Sequence, residues 1–159
     1  MELLDEIAAE VARRLIARKE TVGVSESSTG GLISAALLRV PGASVYYRGG
    51  AVVYTVVARS ALLGIDDTRM AGLRSASEPY VLLTAQSIRT LLRTTWGLSE
   101  AGAAGPEGNR YGDPAGHTCF AVFGPSSQAK TLRTGSADRA ANMTRFAEAS
   151  LTLLRDTLK

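Results

Sequence analysis

Apolar side chains recur at Leu3, Leu4, Ile7, Ala8, Val11 and Leu15, every three or four positions, which predicts an amphipathic helix over 2–19. A short apolar run around Val22 and Val24 predicts a strand at 21–25, followed by a polar Glu26-Ser27-Ser28-Thr29. Gly30 and Gly31 open a second apolar stretch, read as a helix over 30–39. That helix stops at Val40-Pro41-Gly42, because proline disfavours helix in the residue before it. Residues 49–55 read as a strand whose Gly49 and Gly50 permit a close backbone approach, and 56–63 as a short helix. Ser77 is placed to cap a long helix over 78–95, with Pro79 in its first turn. A strand at 98–104 leads into a Gly/Pro loop at 105–116. A hairpin follows, with strands 117–123 and 128–133 around Gly124-Pro125-Ser126-Ser127, and then a helix over 137–157 capped by Ser136. Helices before, between and after the strands predict one three-layer α/β/α domain over 1–159.

Composition narrows the function classes. The net charge of +3 is mild, acidic and basic residues are interspersed, and no run of Lys or Arg forms the basic stripe that nucleic acid requires. The single cysteine, Cys119, excludes an intrachain disulfide and fits a reducing cytoplasm. Asp5, Glu6 and Glu10 interrupt the first 20 residues, unlike a signal peptide, and no apolar run is long enough to span a bilayer. A cytoplasmic protein with neither a membrane nor a nucleic-acid partner is expected.

The candidate chemistry lies in the turn after the first strand. Serine oxygens there sit beside free backbone N–H groups at a helix start, where phosphate, carboxylate or a developing oxyanion is favoured. Ser27 is either a nucleophile or substrate-binding hydroxyl at a strand end, or a turn serine. Thr29, Gly30 and Gly31 would offer N–H groups to an anion while letting the helix pack closely on the sheet. Tyr54 would bury its ring and keep its hydroxyl at the rim. Gly105-Pro106-Glu107-Gly108 is either a ligand loop at a strand end or a surface turn. Arg110 and Arg139 are each either an anion contact or a solvated charge. His117 and Cys119 are read as facing opposite sides of their strand, so neither a metal site nor a cofactor is expected.

Several segments carry a family resemblance. Glu26-Ser27-Ser28-Thr29-Gly30-Gly31, Val40-Pro41-Gly42-Ala43-Ser44 and Gly49-Gly50-Ala51-Val52-Val53-Tyr54 resemble the CinA C-terminal domain, the nicotinamide-nucleotide amidohydrolase family. Leu63-Gly64-Ile65, Ala76-Ser77-Glu78, Ala104-Gly105-Pro106-Glu107-Gly108, Pro114-Ala115-Gly116 and Asp138-Arg139 continue it in order across nearly the whole chain. The resemblance implies a mixed, mainly parallel sheet with one antiparallel strand, which the 117–133 hairpin could supply. It implies hydrolysis of nicotinamide mononucleotide to nicotinic acid mononucleotide and ammonia, and a possible homo-oligomer. Ser27 matches the proposed catalytic serine, with Ser28 where the motif has cysteine. Tyr54 matches a tyrosine that polarises it, and Gly105, Pro106 and Gly108 match a substrate loop. Arg59 departs from the pattern, standing where the motif has a lysine base, and Val56-Val57 replace a polar pair. Arginine cannot take up the serine proton. The expectation is therefore weakened amidase activity or a non-catalytic nucleotide-binding relative.

Overall fold

The computed structural model describes residues 2–159. Helix α1 (Glu2–Arg18) precedes strand β1 (Val22–Glu26), helix α2 (Leu32–Leu38) and a single 3₁₀ turn at Ala43–Val45. Strand β2 (Tyr47–Val52), helices α3 (Val56–Leu63) and α4 (Glu78–Leu92), strands β3 (Trp96–Ala103), β4 (His117–Phe123) and β5 (Ser127–Arg133), and helix α5 (Arg139–Thr157) complete the chain.

The strands form one sheet in the order β2-β1-β3-β4-β5. β1 lies parallel to both β2 and β3, whereas β4 runs antiparallel to β3 and to β5. The hairpin thus supplies the one strand that opposes the other four. Every residue of β1 is buried, as expected of a central strand covered on both faces. Leu4, Val11 and Leu15 of α1, with Ile33 and Leu37 of α2 and Leu151 and Leu154 of α5, pack on Val24 and Leu98 on one side of the sheet. Val81 and Ala85 of α4 cover Ala101 and Ala121 on the other, with α3 beside α4. This is the three-layer α/β/α arrangement that the pattern predicts. Among the described residues, no helix is long and apolar enough to cross a membrane.

Several boundaries differ from the sequence reading. β2 ends at Val52, so Tyr54 lies beyond the strand. Arg93 takes a left-handed conformation (φ 55°) and ends α4 three residues early. Gly30 and Gly31 also adopt positive φ, 62° and 104°, and belong to the turn rather than to α2. Asp138 caps α5 by accepting from the Ala141 N–H (3.1 Å), while Ser136 instead accepts from the Asp138 N–H (3.0 Å). His117 and Cys119 share a face, because residues two apart on a strand point the same way. Cys119 Sγ lies 3.8 Å from His117 Nε2, and both face the carbonyl oxygen of Ala76. Among the described residues, no group of three or more His, Cys, Asp or Glu is arranged to hold a metal.

Candidate active site

The turn after β1 is built on two buried carboxyl groups. Glu26, 1% exposed, accepts from the N–H groups of Gly31 (3.1 Å), Ile33 (3.0 Å) and Ser34 (2.8 Å) and from Thr29 Oγ1 (2.7 Å). Glu100, from β3, accepts from the N–H groups of Ser27 (3.2 Å) and Thr29 (3.0 Å). The second Glu100 oxygen meets the hydroxyls of Ser28 and Thr118. The Gly30 amide donates to the Ser27 carbonyl (3.1 Å), which leaves Ser28 as the one residue of the turn whose N–H has no protein partner. The amides of Thr29, Gly30 and Gly31 are therefore committed within the protein, which corrects the expectation that they hold a ligand anion. Their role is to shape the turn that carries Ser27. Burial pushes the Glu100 carboxyl up, against the opposing hydrogen bonds from Ser28, Thr29 and Thr118. Thr29 Oγ1 also lies 3.0 Å from Glu100 Oε1, and one hydroxyl proton cannot serve two carboxylates.

Ser27 lines a cavity of about 360 Å³ with Tyr54, Arg59, Tyr80, Arg110 and Tyr111. The cavity opens at the carboxyl ends of β1 and β3, which lie side by side and parallel in the sheet. Tyr54 is 59% exposed, contrary to the reading of a buried ring, because the edge strand β2 has already ended. Its hydroxyl accepts from Arg139 Nη2 at 3.2 Å. Arg59 sits in the first turn of α3, whose N-cap Thr55 accepts from the Ala58 N–H. Its side chain is buried, with Nη1 donating to Ser75 Oγ at 3.4 Å and the guanidinium 5.8 Å from the Tyr80 ring centre.

A second hollow of about 460 Å³ adjoins the first and shares Tyr54, Gly102 and Asn109 with it. Gly105, Pro106 and Gly108 line it, together with Ser28 and Arg139. Gly105 needs its hydrogen side chain: its φ is 113°, and a Cβ would lie 2.7 Å from the Ala137 carbonyl oxygen. Arg139 Nη1 donates to the Gly105 carbonyl while Nη2 reaches Tyr54, so this one side chain ties the loop to the tyrosine. The sequence predicts either a solvated charge or an anion contact at Arg139; its bridging role depends on partners 34 and 85 residues away.

The rest of the loop is held by Asp113, which is buried and accepts from Arg74 (2.6 and 3.2 Å) and Asn109 Nδ2 (2.9 Å). Burial alone would raise the Asp113 carboxyl. The bonds from Arg74 and Asn109, with the neighbouring His117, bring it below its ordinary value instead. Arg133 Nε donates to His117 Nδ1 (3.2 Å), which leaves Nε2 to carry the proton and donate to the Ala76 carbonyl (2.9 Å).

The profile of the CinA C-terminal domain matches residues 4–158. A CinA-like protein of Gloeobacter violaceus is 37% identical over 133 residues, 83% of this chain and 31% of that protein. One from Anaeromyxobacter sp. (strain Fw109-5) is 36% identical over 158 residues, 99% of this chain and 38% of that protein. The chain thus spans about a third of the length of these curated relatives. Among solved structures, a competence-damaged protein (CinA) superfamily protein from Klebsiella pneumoniae superposes with a TM-score of 0.91 at 29% identity, covering 98% of this chain and 97% of that one. The competence damage-inducible protein A (ComA) from Klebsiella pneumoniae subsp. pneumoniae does so with 0.91 at 30% identity, covering 98% and 96%. With a matching profile over residues 4–158 and the same fold throughout, the chain belongs to the CinA C-terminal domain family.

Proposed function

We propose that this protein is a slow nicotinamide-nucleotide amidohydrolase, converting nicotinamide mononucleotide to nicotinic acid mononucleotide and ammonia in the cytoplasm. The observation that carries the reading is that Ser27 lines one cavity at the carboxyl ends of the strands with Tyr54 and Arg59, from a later segment. The substrate itself comes from the family resemblance. Ser27 Oγ attacks the carboxamide carbon, and the carbon–oxygen bond forms as charge develops on the amide oxygen. The Arg59 guanidinium, which lines the same cavity, stabilises that oxyanion in place of the amides of Thr29, Gly30 and Gly31, which are already bonded. The carbon–nitrogen bond then breaks. Tyr54, whose oxygen is held by Arg139, relays the serine proton to the leaving ammonia. Water hydrolyses the resulting ester and restores Ser27. The family's homo-oligomer belongs to the same reading, and sedimentation of the purified protein tests it.

Slowness follows from position 59. A guanidinium supplies charge but cannot cycle a proton, and general acid–base help is worth roughly 10²–10⁴-fold. A second reading, a nucleotide-binding relative without catalysis, is favoured by the occupied N–H groups of the turn. Ammonia release from nicotinamide mononucleotide separates the two. We expect slow release by the wild type, none by Ser27→Ala, and a gain by Arg59→Lys that is larger in kcat than in KM. Undiminished release by Ser27→Ala would remove the nucleophile. No release, with calorimetric binding intact in the wild type, would leave the binding reading. No binding by wild type and Arg59→Lys alike would remove the substrate.

A further inference from the structure

Helix α3 turns an apolar face to solvent. Of its eight residues only Arg59 and Leu63 are buried, and Leu63 packs with Ile88 of α4. Val57 is 77% exposed, and Val56 and Leu62 are more than half exposed beside it. Val57, Ser60 and Ala61, three and four positions apart, form one outward strip without a charged side chain. A helix surface that faces only water ordinarily carries charged and polar residues. The strip has margins of opposite sign. Val56 lines the Ser27 cavity together with Arg110, and it also lines a hollow of about 470 Å³ bounded by Asp66 and Asp67. Arg110, Asp66 and Asp67 are exposed, and among the described residues none of the three forms an ion pair. Asp66 accepts from the Arg69 N–H (2.9 Å), which leaves Asp67 the freer of the two acids. A two-fold axis through such a strip lays apolar surface on apolar surface and brings the acidic margin of each copy to the basic margin of the other. That self-match selects a second copy as the occupant.

We propose that the outer face of α3 is a two-fold docking surface for a second copy of this chain, with Asp67 of each copy meeting Arg110 of the other. The inference assigns a surface to the oligomer named above and does not rest on the amidase reading. A helix of eight residues is about 12 Å long, short of the roughly 800 Å² per partner of a stable interface, so the charged margins must take part. The expected dimer is one that dissociates at micromolar concentration.

The test is sedimentation of the whole chain from about 1 to about 300 µM, the range in which a dimer of this size dissociates. The wild type should pass from monomer to dimer across it. Val57→Glu should weaken the dimer about tenfold or more, because it sets two like charges beside the axis. Its circular dichroism should match the wild type, since an acid in the first turn of a helix is favourable. Asp67→Lys and Arg110→Glu should each weaken the dimer by a smaller factor, and the double variant should recover most of that loss, because the exchanged charges meet again across the axis. A chain that stays monomeric throughout would overturn the proposal and leave the face to a different protein. A dimer undiminished by Val57→Glu, or no recovery in the double variant, would overturn it too and place the contact elsewhere. A dimer without ammonia release would sink only the amidase; ammonia release by a monomer would sink only this inference.

Discussion

Glu100 shows how a single side chain can be read in a sequence as an ordinary strand residue and yet determine the shape of a site. It lies on a predicted strand with nothing local to mark it, and its partners Ser27, Ser28 and Thr29 stand 71 to 73 residues earlier. The motif containing Glu26, Ser27 and Gly31 was legible; the carboxyl group that takes up the amides of Ser27 and Thr29 was not, because only the pairing of β1 with β3 brings it there. Burial raises the folded-state value of Glu100 above its ordinary 4.5. Its contribution to stability is therefore complete below the unfolded value and is lost as pH rises through the folded one. Glu100→Gln removes that dependence. Denaturant titrations between about pH 4.5 and pH 8 should show the wild type losing stability relative to Glu100→Gln as pH rises. A difference that stays flat, or moves the other way, would mean that Glu100 is ionised in the folded protein.

Among the elements, the sequence was most readable where local signals agree. Thr55 and Gly64 bracket α3, so its bounds of 56–63 follow from cap chemistry alone. Ser77 and Pro79 set the start of α4 in the same way. Local signals failed at β2, where Gly49 and Gly50 carry no side chains to show a pattern, and the strand starts two residues and ends three residues earlier than expected. They also failed for the 105–116 loop, whose conformation is set by Asp113, Arg74 and Arg139 from three separate segments. Because Arg139 is exposed, Arg139→Ala should change global stability by no more than about 1 kcal/mol. The loop should nevertheless loosen. Tryptic cleavage after the exposed Arg110 is expected to become several-fold faster, measured by mass spectrometry of timed digests. An unchanged cleavage rate would show that Asp113 holds the loop unaided.

For the molecule as a whole, three layers around one sheet were predictable from the order of helices and strands, because a sheet with apolar residues on both faces must be covered twice. Strand order was not readable from periodicity, which reports which face is buried and nothing about neighbours; the family resemblance supplied the single opposed strand. Leu151 lies fully buried where α5 meets α1 and the sheet. Leu151→Ala should cost about 2–5 kcal/mol, since close-packed helices relax only partly into the space left. Trp96, the only tryptophan, is buried in β3 and donates from its indole to Glu20 (3.0 Å), so its fluorescence reports the loss of the sheet. Urea unfolding followed at Trp96 and by circular dichroism should shift together; a variant as stable as the wild type would place Leu151 outside the cooperative core.

Four of the five amides of the Ser27–Gly31 turn have internal partners, which has a consequence for motion. A segment tied so fully from within has little to gain from an arriving ligand, so its shape is fixed in advance. The opposite wall is tied in the same way, with Asn109 Oδ1 accepting from the N–H groups of Tyr111 (3.0 Å) and Asp113 (3.1 Å), while the Arg110 and Tyr111 side chains stand exposed. Adjustment to a bound molecule therefore falls to the rotation of these side chains rather than to backbone closure. Selectivity among ligands would be set by how well each draws in Arg110 and Tyr111, while the serine waits in place.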